Sequence, residues 1–330
     1  MWDTDISRLT LEFLENIDPG YYEFIANSHI EAAIDEKCMS SSIAIRAAYS
    51  QGLETLFALI SAAVQAPRCV PGWIVSYSNR DLYSVIRKIN KQAPFKTKLV
   101  DDRISWKKLV DLIFSWVVFD DEDKAQWVRD GFVSLWSRFA NDFLDEGFTG
   151  EYNSIKHGLR IKSGGFYLAF GIQEEPGIPA PKDKMRLMGK SDYGSSFLVP
   201  ERIGGHNHHV RLKRQSRNWN PQDLGYGLQL LSMSIGNVLS ALKIINGIPA
   251  EDVQFQWPSE KDTFSKPWEH LHKIGVTSMS GFQTIIPDDL ITPFSKDDIK
   301  VMYQNGKDAG IKRYPVHSPE KSDTKDTAED

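Results

Sequence analysis

Apolar residues recur at intervals of three and four along most of the first 160 residues, the spacing of helices with one buried face. The clearest case runs from Ser40 to about Gln65, where three consecutive serines offer N-cap hydroxyls. The chain is therefore predicted to be mainly α, with its helices packed as an antiparallel helical bundle. Further amphipathic helices are predicted at about 5–16, 20–36, 79–91, 104–119, 120–147 and 149–160.

A later stretch, Leu224 to Leu242, carries no charge and meets a simple length criterion for a membrane span. Its apolar residues form a stripe with alternating spacings of four and three, while glycine, serine, Gln229 and Asn237 fill other positions. So many polar groups would be costly against lipid. The stretch predicts a helix at about 221–246 that packs against other helices, with no membrane association.

The periodicity changes to short apolar runs separated by Pro/Gly-rich loops between these helical regions. The segments GGFYLAFGI, SSFLVPERI and HHVRLKR predict strands, and together they predict a small β insertion at about 164–214.

The helical bundle with this insertion is assigned to residues 1–246. Residues 247–312 predict a segment that wraps onto the helices and contains a short helix from Ser295 to about Asp308. Residues 313–330 are nearly devoid of apolar side chains and predict a disordered tail.

Composition limits the classes of function. The 330 residues are 41% hydrophobic with a net charge of −5, which excludes collagen-like and wholly disordered chains and leaves only a local basic patch to bind polyanions. Cys38 and Cys69 predict two reduced thiols rather than a disulfide framework. The acidic N-terminal residues do not form a signal peptide. These features together predict a cytoplasmic protein.

The segment 151–160, EYNSIKHGLR, carries the strongest chemical pattern. As a helix it places Asn153, His157 and Arg160 one above another, with Lys156 beside them. His157 could take a proton from a ribose 2′-hydroxyl, Lys156 and Arg160 could hold the phosphate, and Asn153 could orient the imidazole. The alternative is a non-enzymatic interaction or structural protein, in which Asn153 and His157 complete a buried polar network.

A long helix with Arg46 and Glu54, further amphipathic helices, and then N-x-x-K-H-G-x-R at 153–160 together resemble the HEPN-like helical-bundle proteins. The resemblance implies a metal-independent endoribonuclease of the toxin or defence type, or a non-catalytic relative that binds a nucleotide or a protein. It places His157 at the family's catalytic histidine and implies a homodimer. The family's arginine, a few positions before the histidine, is absent from this chain, which favours a binding member.

A second cluster lies between Arg202 and Arg217, which contains five lysines and arginines, three histidines and no acid after Glu201. Arg211, Lys213 and Arg214 are candidate contacts to phosphate or RNA. Two alternatives are a solvated basic sheet edge and a metal site that uses the histidines at 206–209. The latter lacks further ligands at a recognisable spacing, so neither a metal nor a cofactor is predicted.

Overall fold

The computed structural model describes residues 5–95, 103–158, 160–203, 209–270, 278–286 and 294–308. Two compact units divide the chain. The first comprises residues 1–201 and 212–284, and the second comprises residues 202–211 and 285–330. The predicted tail at 313–330 lies outside the described residues.

The described helices make the protein mainly α. In chain order they are α1 (Ile6–Glu15), α2 (Gly20–Ile34), α3 (Met39–Gln65), α4 (Val70–Ser76), α5 (Asn79–Asn90), α6 (Trp106–Ile113), α7 (Glu122–Leu144), α8 (Glu146–Lys156), α9 (Pro221–Ile245) and α10 (Lys296–Asp308). Short 3₁₀ helices span Phe114–Trp116, Lys182–Lys184, Ala250–Asp252 and Lys261–Trp268.

Local signals in the sequence explain several helix ends. Ser78 and Asp81 form a reciprocal capping box at the start of α5. Asp145 closes α7 and also caps α8, because its carboxylate accepts the backbone N–H of Phe148 at 2.7 Å. α4 was not predicted, although Pro71 in its first turn is compatible with a helix start, where the missing N–H costs nothing.

Six strands are described: β1 (Ile161–Ser163), β2 (Tyr167–Phe170), β3 (Arg186–Lys190), β4 (Gly194–Ile203), β5 (His209–Asn218) and β6 (Ser278–Ile286). They form a four-stranded sheet of order β1-β4-β5-β6 and a separate β2-β3 pair. β1 runs antiparallel to β4, with Ile161 opposite Phe197. The strands before α9 thus occupy 161–218, and β6 joins the sheet from the region where only a wrapping segment was predicted.

The core of the first unit is built around α3, which packs against both α2 and α9. Phe132, Trp136 and Phe139 of α7 are completely buried in the same core. The indole N–H of Trp136 donates to Ser234 of α9 at 3.1 Å, so the two helices are joined by a polar contact within an apolar surrounding. The 3₁₀ helix Lys261–Trp268 also packs on α7 and α9, and its Phe264 ring contacts Phe132 edge-on.

Among the described residues, α9 is the one single helix with the length and apolar character of a membrane span. Of its most apolar window, 67% is buried inside the protein. The buried positions include Leu228, Leu231, Ile235 and Val238, which belong to the predicted stripe. α9 therefore has the burial of a core helix.

Candidate functional site

A buried carboxylate fixes α8 to the rest of the first unit. Glu151 is fully buried, and its Oε2 accepts hydrogen bonds from Arg46 Nη2 at 2.6 Å and Nε at 3.0 Å. Its Oε1 accepts the indole N–H of Trp219 at 2.8 Å and the hydroxyl of Ser195. One side chain thus joins α3, α8, β4 and the residue that follows β5. Its two oxygens accept four hydrogen bonds, which compensate for the loss of water around the carboxylate.

A second, more exposed contact ties α8 to α3. Glu54 accepts the Tyr152 hydroxyl at 3.2 Å and lies 3.7 Å from Lys156 Nζ. Burial raises the pKa of Tyr152 most, and the negative charge of Glu54 raises it further. Tyr152 therefore keeps its proton and acts as a donor. This contact and the Glu151 network together hold α8 against α3.

The end of α8 differs from the prediction. The helix stops at Lys156, His157 is its C-cap residue, and Gly158 has φ +102°. The predicted stack of Asn153, His157 and Arg160 on one helix face is therefore wrong. Glycine adopts this left-handed conformation readily because it has no Cβ to clash with the backbone. A residue in this conformation ends the helix. A Cβ at Gly158 would meet no described atom of the protein within 4 Å, so packing within the chain does not require the glycine.

The four candidate residues of this segment all lie on the surface. Asn153, Lys156, His157 and Arg160 are exposed, with Arg160 on the extended chain that leads into β1. The buried network around Glu151 includes neither Asn153 nor His157, contrary to the alternative that placed both in such a network. Exposure leaves the imidazole of His157 accessible to a ligand in solution.

Asn153 and Lys156 share a pocket between α3, α5, α7 and α8. Four of its eleven lining residues are aromatic, and its polar lining includes Glu54 and Asn79. The aromatic lining residues are Tyr83, Phe143, Phe148 and Tyr152. The structure thus brings together two of the four candidates, whereas His157 and Arg160 are outside this lining.

The candidate residues of the basic strand are divided between the two faces of β5. Lys213 bonds to Glu201 at 2.8 Å and is partly covered, whereas Arg214 is exposed. Consecutive strand residues point to opposite faces, so Lys213 and Arg214 cannot bind one phosphate together from the same face. Arg211 belongs to the second unit. The histidines at 206–208 lie outside the described residues.

Positive charge is nevertheless concentrated in this part of the chain. Residues 156–218 contain twelve lysines and arginines against five aspartates and glutamates, although the whole protein has a net charge of −5. Arg160, Lys162 and Arg214 are exposed in the first unit. We call Lys156, His157, Arg160 and Lys162, which follow one another from the end of α8 into β1, the basic surface.

A second polar region is a cavity of about 190 Å³ between α3, α7, the start of α9 and the 3₁₀ helix Lys261–Trp268. At its wall, Asp142 Oδ2 accepts the Tyr49 hydroxyl at 2.7 Å and the Trp268 indole N–H at 3.3 Å. Asp223, which is 3% exposed, bonds to His270 Nδ1 at 2.5 Å. We call this cavity the polar cleft. Its other charged lining residues are Arg46 and Arg217.

The carboxylates in and beside the cleft have different pKa values because their partners differ. Burial raises the pKa of Asp142 and outweighs the hydrogen bond from Tyr49 and the charges of Arg46 and Arg217, which lower it. Burial also raises the pKa of Asp223, despite its bond to His270. At Asp145, by contrast, burial is outweighed by Arg217 and by the Phe148 N–H, and its pKa is lowered.

Glu151, Asp142 and Asp223 were missed as site residues. The signal for Glu151 and Asp142 was a charge beside an apolar stripe, since Glu151 precedes Ile155 by one helical turn and Asp142 adjoins Phe143. Such a position indicates a buried partner. The partners, Arg46 and Tyr49, lie far away in sequence, so spacing alone could not identify them.

The fold is that of a mainly α protein with an antiparallel sheet. Its distinguishing polar features are the buried Glu151 network and the charged residues that line the polar cleft. Comparisons with protein-family models, with curated proteins and with solved structures find no match. In the part of the chain that the structure describes, no group of three or more His, Cys, Asp or Glu residues is arranged to hold a metal ion.

Proposed function

We propose that this chain is a HEPN-like helical-bundle protein of the cytoplasm that binds RNA or a nucleotide through the basic surface. The observation that carries the proposal is the exposure of Lys156, His157, Arg160 and Lys162 in succession, within a region of strong cation excess. A net negative protein attracts a polyanion only where cations are concentrated locally. The basic surface meets that requirement.

The geometry supports binding better than cleavage. A general base must be held within hydrogen-bond reach of the proton it removes, together with groups that stabilise the phosphate. His157 is the exposed C-cap residue that follows α8, and the glycine after it separates the helix from Arg160. Lys156 lies beside Glu54, which offsets part of its charge. These positions suit contacts to successive phosphates more than a fixed catalytic constellation.

The proposal is tested with a fluorescently labelled single-stranded RNA of about 20 nucleotides, titrated with protein at several salt concentrations. Arg160→Glu/Lys162→Glu should weaken binding at least tenfold and reduce the slope of log affinity against log salt by about 1.4, which corresponds to two lost phosphate contacts. The matched control is Arg8→Glu/Lys91→Glu, which reverses two exposed cations on α1 and after α5. Equal affinities for the two double variants, or no binding by wild type at about 50 mM salt, would overturn the proposal.

Cleavage is tested separately by incubating the same RNA with wild type and His157→Ala in EDTA. The proposal expects intact RNA with both proteins. Products ending in a 2′,3′-cyclic phosphate that require His157 would instead establish the endoribonuclease that the family resemblance implies.

The homodimer implied by the same resemblance is also a proposal. Light scattering of the purified protein should give about twice the 37.5 kDa chain mass. A single-chain mass at all accessible concentrations would exclude a stable dimer without affecting RNA binding.

A further inference from the structure

The polar cleft has a different charge balance from the basic surface. Three acids in or beside it each have a cationic or titratable partner: Glu151 binds Arg46, Asp145 binds Arg217 and Asp223 binds His270. Asp142 is the exception, because its hydrogen bonds among the described residues come from Tyr49 and Trp268, which are both neutral donors. One carboxylate in the cleft therefore lacks a direct countercharge.

The bonds to Asp142 leave room for another donor. Tyr49 and Trp268 both donate to Oδ2 of Asp142. Among the described residues, none donates a hydrogen bond to Oδ1. A carboxylate oxygen accepts more than one hydrogen bond, and a partly buried carboxylate gains most from a charged donor. Arg46 and Arg217 lie close enough to influence Asp142, but both form their ion pairs with other acids.

The surroundings of Asp142 are suited to a small cation. The cleft also exposes the rings of Phe148 and Trp268 at its wall, and cations are attracted to aromatic faces. Guanidinium groups of the protein already lie near these rings, with Arg46 at 4.3 Å and Arg217 at 5.9 Å from the Phe148 centroid and Arg138 at 5.2 Å from that of Trp268, so the ligand's ammonium must be held by the carboxylate of Asp142. A cavity of about 190 Å³ is below the usual size for drug-like ligands, so the ligand must be small.

We infer that the polar cleft binds a small organic cation, a primary amine or diamine, whose ammonium group donates to the carboxylate of Asp142. Tyr49 and Trp268 hold that carboxylate from one side, and the ammonium binds at Oδ1. This site shares no residue with the basic surface and would take a ligand of opposite charge. Its failure would leave the RNA proposal intact, and the reverse also holds.

The probe is 1,4-diaminobutane. Its binding to the full chain is measured by isothermal titration calorimetry at neutral pH. Wild type should bind the diamine, and 1,4-butanediol, its uncharged analogue, should neither bind nor compete. Inorganic phosphate should bind more weakly than the diamine at this site. Preference for phosphate, or equal binding of diol and diamine, would show that the cleft selects a different ligand chemistry and would overturn the inference.

Two variants locate the site. Asp142→Asn should weaken diamine binding at least tenfold, whereas Asp130→Asn, the same exchange at an exposed position of α7, should leave it unchanged. If Asp142→Asn does not fold, an NMR titration of wild type replaces it. The indole N–H resonance of Trp268 is assigned as the one that disappears in Trp268→Phe, and it should shift when the diamine is added to wild type. An unshifted resonance, or full affinity in folded Asp142→Asn, would overturn the inference.

Discussion

Arg46 of α3 and Glu151 of α8 form a buried ion pair with 2.6 Å between Nη2 and Oε2. Their side chains are 5% and 1% exposed, and Trp219 and Ser195 occupy the other carboxylate oxygen. The carboxylate thus accepts four hydrogen bonds, two of them from Arg46, and these bonds offset the cost of burying the charges. It holds α8, and so the start of the basic surface, in one position against α3.

Removing one partner of this pair should be strongly destabilising. Glu151→Gln leaves the Arg46 guanidinium buried without its countercharge, and we expect the free energy of unfolding to fall by about 3–5 kcal/mol. Urea unfolding followed by far-UV circular dichroism measures the change. Lys156→Ala removes the more exposed contact to Glu54 on the same helix and should cost less than about 1 kcal/mol. Similar losses in both variants would contradict the assigned difference in burial.

Asp142 should produce a pH dependence opposite in sign to that of a salt-bridged carboxylate. Its pKa is 3.8 in the unfolded reference and higher in the folded protein, because burial disfavours its charge. Between those two values the folded protein binds more protons than the unfolded chain, so the contribution of Asp142 to stability falls as pH rises and is constant above the folded pKa.

Asparagine at position 142 removes this titration. The difference in unfolding free energy between wild type and Asp142→Asn should therefore decline with rising pH from about 4 and then level off. Denaturant unfolding at half-unit pH steps measures it. A difference that increases with pH across this window would show that the carboxylate is stabilised, rather than penalised, in its ionised form.

The glycine after α8 should resist substitution for a backbone reason. Gly158→Ala forces a side chain into φ +102°, and we expect a loss of about 1 kcal/mol or more. The matched control is Gly236→Ala within α9, where the new Cβ would meet only Pro19 at 3.9 Å, an ordinary contact. Since alanine favours a helix interior, the control should be neutral or stabilising by about 0.5–1 kcal/mol. Thermal unfolding compares the two variants.

Another glycine sets the position of Tyr49. A Cβ at Gly227 of α9 would lie 2.6 Å from Cε2 of the Tyr49 ring, so Gly227→Ala must displace the ring that bonds to Asp142. We expect a loss of about 1–3 kcal/mol and a weaker response to 1,4-diaminobutane in calorimetry. Gly236→Ala again serves as the control on the same helix. Unchanged diamine affinity in Gly227→Ala would separate the position of Tyr49 from ligand binding.

The periodicity of apolar residues predicts most helices because each helix buries one continuous face. α3 and α9 follow their predicted stripes closely, with Leu53 and Leu56 in α3 and Leu231 and Ile235 in α9 fully buried. The strands were harder to predict. β1 has only three residues, too few for a clear alternating pattern. β6 pairs with β5, which lies far earlier in the sequence, so no local pattern indicates the pairing.

The polar residues of the site show the limits of local pattern. His157 and Arg160 were assigned to one helix because their spacing fits a helix, but Gly158 between them ends α8. The partners of Glu151 lie on α3, β4 and beyond β5, so their meeting depends on the tertiary fold. A sequence reports that a charge lies near an apolar face, but only the fold reports which distant group compensates it.

The pairing of α3 with α9 has a consequence for biosynthesis. α3 ends at Gln65, and α9, which covers part of its buried surface, begins at Pro221. During translation the ribosome must complete α4 to α8 and the first five strands before α9 emerges. Until then the leucines and isoleucines of α3 lack their final cover, and contacts so distant in sequence form slowly. The nascent chain therefore passes through a long interval in which the face of α3 that later packs on α9 is open to chaperones, although α2 is already available to pack on another part of the helix.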